Sequence, residues 1–336
     1  MPDSLTPRDR TYRRMAGQPV DRVPNQNIIM GFGPHYIGTT YDRYAQDYRI
    51  LVEANLRVAE DFHLDMLTTC SDPVRETSAF GAQIAFDYDR VPRCAQPLLA
   101  SAEEWERLPE WDPWERPRTL DRIRAVALYR EKAGDHYPVC GWIEGAAAAA
   151  AMLLGAARFL EDTLVVPEAT EHLLERCAQA AERFALAQVQ AGADFVGLGD
   201  AVCSLMSPAA YRTFALPLEQ RIIADIHAAG ARVKLHICGN TTRHLADMAT
   251  TGADVIDIDW MVDWPTAVRA FTGRASANGN YDPVAVLLQG TPETVAAAVR
   301  ACLAAGNETS MVSAGCEVPI GTPHANLRAH YEALIG

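Results

Sequence analysis

The sequence predicts an α/β fold, a (β/α)8 TIM barrel with an N-terminal helical extension and an insertion after the second strand. Three observations predict it. Short apolar runs alternate with longer stretches whose apolar residues recur at three- and four-residue steps, the signature of strands alternating with amphipathic helices. The runs number eight, the count that closes a parallel barrel. Nearly every run ends in a titratable or amide side chain, and barrel active sites are built at strand C-terminal ends.

Residues 1–24 read as a helical cap without the apolar core of a signal peptide. The first strand is expected over Asn25–Met30 and the second over Leu64–Cys70, ending in Cys70-Ser71-Asp72-Pro73. Residues 71–136 then form a long insertion, with the Trp- and Pro-rich stretch Trp105–Pro117, read as helices with a partial lid over one barrel end. The third strand, Tyr137–Ile143, delivers Glu144, and the run Ala146–Ala151 behind it suits a close-packed helix. Pro167–Gln190 is a helix with Leu173, Leu174, Cys177, Ala181 and Phe184 in one stripe. The fourth strand, Asp194–Gly199, ends at Asp200, and a Ser-Pro start opens a helix over Pro208–Ala229. Strands five to eight are expected over Arg232–Cys238, Asp254–Asp259, Arg274–Gly279 and Ser310–Ala314, with a Thr-Pro-led helix, Thr291–Ala305, before the last. The whole chain, 1–336, reads as one domain.

Composition narrows the function classes. The 336 residues carry a net charge of −13, with 49% hydrophobic and 22% charged residues. An acidic chain without a basic tract repels phosphate backbones, so no nucleic-acid partner is expected. No apolar run approaches a membrane span, so no membrane partner is expected either. Eight cysteines in this length are too sparse for a disulfide scaffold, and a cytoplasmic location is expected.

His236 and Cys238, two apart on a strand, face one cavity, and a closed barrel can bring Cys316 to it. Imidazole and two thiolates suit Zn2+ and leave a coordination position for substrate. The same residues also suit an ordinary packed core, and spacing alone leaves both readings open.

The stretch Lys234-Leu235-His236-Ile237-Cys238-Gly239-Asn240, with Gly252-Ala253-Asp254 and Asp257-Ile258-Asp259, resembles the uroporphyrinogen decarboxylase-like superfamily. Ser313-Ala314-Gly315-Cys316-Glu317-Val318-Pro319 and Gly321-Thr322-Pro323 resemble the segment bearing the last cysteine of its zinc-dependent, corrinoid-linked methyltransferases, such as the methylcobalamin:coenzyme M methyltransferases. Ser71–Phe86, Gly199–Pro217 and Asn278–Val286 are similar to the same family, so the resemblance spans most of residues 20–335. The arginine-rich segment that holds tetrapyrrole propionates in the decarboxylases is replaced by Asn25-Gln26-Asn27-Ile28-Ile29-Met30-Gly31-Phe32-Gly33, which disfavours uroporphyrinogen decarboxylation.

The resemblance implies a Zn2+ held by His236, Cys238 and Cys316. Glu144 is expected as a fourth ligand or catalytic base, with a helix-start carboxylate as the plain alternative. Asp72, Asp200, Asp259 and Asn280 are expected to orient substrate or the metal ligands. The implied reaction moves a methyl group between a corrinoid (methylcobalamin, or a corrinoid-binding protein as partner) and a small-molecule methyl donor or acceptor. One polarity uses a zinc-activated thiol as acceptor, and the other is a zinc-assisted O- or N-demethylation that delivers methyl to cobalt. A non-catalytic metal-binding relative is the alternative from another class.

Overall fold

The computed structural model describes residues 4–335. Seven parallel strands make one sheet in the order β1 (Leu67–Thr68), β4 (Val139–Glu144), β5 (Phe195–Gly199), β6 (Arg232–His236), β7 (Val255–Asp257), β8 (Ser276–Tyr281), β9 (Met311–Ala314). A short antiparallel ribbon, β2 (Ile84–Ala85) with β3 (Arg93–Cys94), lies in the connection between the first two. All ladders of the main sheet are parallel, so every strand C-terminus opens at the same end.

Register sets up the site. Glu144 pairs with Gly199, Gly199 with His236, His236 with Asp257, and Asp257 with Asn278. These residues therefore form one row across four neighbouring ladders, near the C-terminal rim.

The helical expectations hold where the start signals are strong. The helix Pro167–Gln190 has the expected bounds, and Leu173, Leu174, Cys177, Ala181 and Phe184 are all buried in the core. The last long crossover helix runs Pro292–Ala305, with Thr291 Oγ1 accepting from the Thr294 amide as its cap. The stretch after Pro208 reaches Ala228 but passes through a π-turn at Tyr211–Ala215. The alanine run lies inside a buried helix, Ala146–Leu154.

The expected strands are shortened at one or both ends, and one expectation needs correction. Residues 25–30 form no strand. The Asp65 amide donates to the Asn25 carbonyl (2.8 Å) and the Val318 amide to that of Ile28 (2.9 Å). Between them the Asn27 side chain takes the Ala314 amide (2.8 Å). Amide side chains here accept what a backbone ladder otherwise accepts, so the pairing is too sparse for a strand.

The first helix, Pro7–Met15, lies at the end of the sheet away from the rim. Arg8 binds Asp194, just before β5, and Arg10 binds Asp65, just before β1. The 71–136 connection contains a short helix (Arg75–Ala79), the ribbon, a 3-10 turn (Ala102–Arg107) and the helix Pro117–Ala133. Trp111 in its Trp-rich part is buried edge-on against Phe80. Among the described residues no helix is long and apolar enough to cross a membrane.

Candidate metal centre

The donor atoms of His236, Cys238 and Cys316 lie within 4.8 Å of one another. His236 is the last residue of β6, and Cys238 sits beyond the strand. Gly239 then turns the chain with φ +90°, a conformation that favours glycine, and its amide donates to Asp259 Oδ2 (2.7 Å). Cys316 comes from the loop after β9, with its Sγ 3.9 Å from His236 Nε2. The imidazole thus aims one nitrogen at the thiols and binds Asp257 Oδ2 through Nδ1 at 3.0 Å. That second contact follows from the β6–β7 register, which sets Asp257 directly beside His236. Asp257 is held in turn by Asn278 Nδ2 (2.8 Å) and Lys234 Nζ (3.3 Å).

The electrostatics suit a cation. Burial opposes charge on His236, but its bonds to Asp257 and Cys316 raise its pKa to about 10. The hydrogen bond between the thiols holds Cys238 below the usual thiol range and pushes Cys316 up. Two thiols and an imidazole oriented by a carboxylate are a donor set for zinc with one position left for substrate.

Glu144 closes β4 beside this triad but is outside the 4.8 Å group. Its Oε1 accepts from Arg75 Nη2 (3.2 Å) and Trp142 Nε1 (3.1 Å), and among the described residues Oε2 has no hydrogen-bond partner. Burial, against the attraction of Arg75 and with the repulsion of Glu76, lifts its pKa well above the carboxylate range. Glu76 itself accepts the Glu144 amide at 2.8 Å.

The other expected site residues lie outside the triad's group of donor atoms. Asp72 is buried and bidentate to Arg118 (2.9 and 2.8 Å). Asp259 bonds the amides of Gly239 and Trp260, fixing the loop that carries Cys238. Asn280 donates to the carbonyls of Val262 and Asp259, holding the loop after β7. Asp200 accepts from the Ala148 amide (2.6 Å) at the start of the helix after Glu144. A Cβ on Gly145 would lie 2.3 Å from Asp200 Oδ2, so only glycine permits this approach. Burial pushes Asp200 up to about 7, and with Glu219 and Cys203 it forms a second buried cluster. His324, which its nearness to Cys316 in the chain makes a candidate ligand, packs instead among Phe32, Tyr36 and Phe62. Sequence reasoning passed over Asp257 as a partner of His236, and gave no role to Arg75, Glu76, Trp142 or Lys234. The Asp257 signal was present in its place at the end of the strand next to that of His236.

The chain matches the family described as uroporphyrinogen decarboxylase (URO-D) over residues 6–335. The chain belongs to the URO-D family. It is 31% identical to the methylcobamide:CoM methyltransferase MtbA of Methanosarcina mazei, with 97% of each chain covered. It is 28% identical to a uroporphyrinogen decarboxylase of Xanthomonas axonopodis pv. citri, covering 87% of this chain and 85% of that one. A solved methyltransferase structure from Methanosarcina mazei superposes with a TM-score of 0.89 at 23% identity, covering 98% of both chains. At that identity the structural likeness speaks for the fold. Within the URO-D family the named activities differ, so the site residues must decide between them.

Proposed function

We propose that this URO-D family protein is a zinc-dependent methyltransferase that exchanges a methyl group between a corrinoid and a small substrate, with a thiol as the acceptor. The observation that carries this reading is the His236, Cys238 and Cys316 triad, its imidazole oriented by Asp257. The 31% identity to a methylcobamide:CoM methyltransferase supports the corrinoid as methyl carrier. Zn2+ held by the three residues would supply the Lewis acidity that keeps a substrate thiol deprotonated near pH 7.

The chain's own residues account for the rest. Asp257 holds the His236 tautomer with Nε2 free toward the metal position. Asp259 and Gly239 set the direction of Cys238. Glu144, with Oε2 unpartnered and its pKa raised, is suited to receive the thiol proton. In the transfer a carbon–sulfur bond forms at the acceptor as the cobalt–carbon bond breaks, with its electron pair remaining on cobalt.

A large partner at this end of the sheet is supported by exposed apolar side chains on four strand-end loops. Leu205 follows β5, Trp260 and Met261 follow β7, Val284 follows β8, and Ile320 follows β9. Exposed apolar side chains after four strands, at the sheet end that bears the metal centre, fit docking of a corrinoid or a corrinoid-binding protein. We also take residues 25–30 as the eighth stave of a (β/α)8 barrel, supported by their bonds to Asp65 on one side and Val318 on the other. Decarboxylation of a polyanionic tetrapyrrole is disfavoured, because the buried Arg75 and Arg118 are engaged by Glu144, Glu76 and Asp72. X-ray absorption tests the thiol reading: adding the acceptor should bring one further sulfur near ~2.3 Å into the zinc shell. A shell that does not change, with any thiol, would overturn it.

A further inference from the structure

Strand β5 separates Glu144 on β4 from His236 on β6, and it carries two glycines on one face, Gly197 and Gly199. Gly197 pairs with Trp142, and Gly199 pairs with Glu144 on one side and His236 on the other. Register partners on neighbouring parallel strands point to the same face, so a side chain at 199 would stand between Glu144 and His236. Other groups occupy that place. A Cβ on Gly199 would lie 3.2 Å from Trp142 Nε1 and 3.3 Å from Glu144 Oε2. A Cβ on Gly197 would lie 2.2 Å from Trp142 Cε3 and 2.5 Å from Cζ3. The indole and the carboxyl thus reach across β5 through the gap that the two glycines leave.

The indole touches both of the groups it lies between. Its Nε1 donates to Glu144 Oε1 at 3.1 Å, and its ring centroid is 5.9 Å from that of the His236 imidazole, with the planes at 58°. Arg75 Nη2 gives the same oxygen its second bond at 3.2 Å, so both donors act on Oε1 and Oε2 is left over Gly199. Trp142 is itself held from behind. Its amide donates to Gln188 Oε1 (2.8 Å), its carbonyl accepts from Gln188 Nε2 (3.0 Å), and its buried side chain packs with Ile28 and Cys70. A buried indole with its N–H engaged has little freedom to turn, which fixes the oxygen it holds.

We propose that Trp142 is a positioning residue for methyl transfer: through its indole N–H it holds Glu144 with Oε2 beside His236, and Gly197 and Gly199 are the gap that lets it do so. This rests on Glu144 receiving the thiol proton, as in the reading above.

The test is a double-mutant cycle with W142F, which removes the N–H and keeps an aromatic ring, and E144Q, in the zinc-loaded full chain with methylcobalamin and a thiol. W142F should lower kcat at least ~10-fold, as misplacement of a reacting group does, with the thiol KM within about threefold of wild type. Added to E144Q it should cost less than about twofold more, because a residue that acts through Glu144 then has nothing left to position. G199A gives the same comparison if W142F folds poorly, since the nearest neighbours of its new Cβ are the indole and the carboxyl. It should lower kcat at least ~3-fold alone and leave E144Q within about twofold. A readout without turnover comes from indole 15N labelling, which shows one side-chain N–H signal for each of the six tryptophans. The Trp142 signal, identified by its loss in W142F or its displacement in G199A, should move on zinc binding and in E144Q. Wild-type kcat in W142F and G199A, losses that multiply with that of E144Q, or a Trp142 signal unmoved by both zinc and E144Q would overturn the inference. If the wild-type chain methylates no thiol, the thiol-acceptor reading falls, and the indole signal alone decides whether Trp142 holds Glu144 beside the metal position.

Discussion

Replacing Asp257 by Asn isolates the part of the centre that depends on strand register. The carboxylate accepts from His236 Nδ1 at 3.0 Å, so D257N removes the negative charge that orients and enriches the imidazole while keeping nearly the same shape. Loss of such a partner lowers metal affinity by roughly 10–100-fold, equivalent to about 1.4–2.7 kcal/mol. A second consequence must be separated from the first. Lys234 is 3% exposed and loses its ion-pair partner Asp257 at 3.3 Å, and an uncompensated buried charge costs about 3–5 kcal/mol of fold stability. The double variant K234M/D257N removes that charge as well. It should regain most of the lost thermal stability while its zinc affinity stays low. The assay is competition for zinc against a chromophoric chelator at fixed pH, with thermal denaturation of the metal-free proteins alongside. Zinc affinity of D257N within twofold of wild type would refute the positioning role. Full recovery of affinity in the double variant would show that only folding had been disturbed.

Zinc should co-purify with the wild-type chain at about one equivalent by elemental analysis, and C238A and C316A should each lose most of it, since each removes one of the three proposed ligands. Zinc uptake by metal-free protein at pH 7 should release about two protons or more. His236, raised to about 10, and Cys316, raised by Cys238, are both protonated there and must yield to the metal, so apparent affinity rises with pH toward 10. Calorimetry in buffers of different ionisation enthalpy counts these protons, and release of less than one would contradict the arrangement. E144Q should retain zinc and the fold, because the amide oxygen can still accept from Arg75 and Trp142. Its methyl-transfer turnover should fall by about 10²-fold, and unchanged turnover would reduce Glu144 to a structural carboxylate.

The site was legible in the sequence to the extent that its signals are local. His236 and Cys238 are two residues apart and a cysteine follows the last strand, a spacing that leaves a metal site and a packed core both open until the family resemblance favours the metal. Helices were legible where Pro or a capping Thr opens them, because those residues act on the first turn by themselves. The support of His236 was not, since Asp257 is 21 positions away and meets it only through the parallel β6–β7 register. Arg75 and Glu76 were hidden in the same way: they lie in a short helix within a long connection, and nothing in their own neighbourhood marks them as facing Glu144. Residues 25–30 look like a strand by pattern, yet their side-chain amides replace part of the ladder that would define one.

The most direct test of the central proposal is the loss of methyl from methylcobalamin, followed by its visible absorption in the dark and without oxygen, with zinc-loaded protein and a thiol acceptor. The wild-type chain should convert methylcobalamin to cob(I)alamin while methylating the thiol in equal amount, and C316A should leave the spectrum unchanged over the same time. Demethylation by C316A at the wild-type rate, or none by wild type with either an aminothiol or a sulfonate thiol, would contradict zinc-dependent methyl transfer to a thiol at this centre.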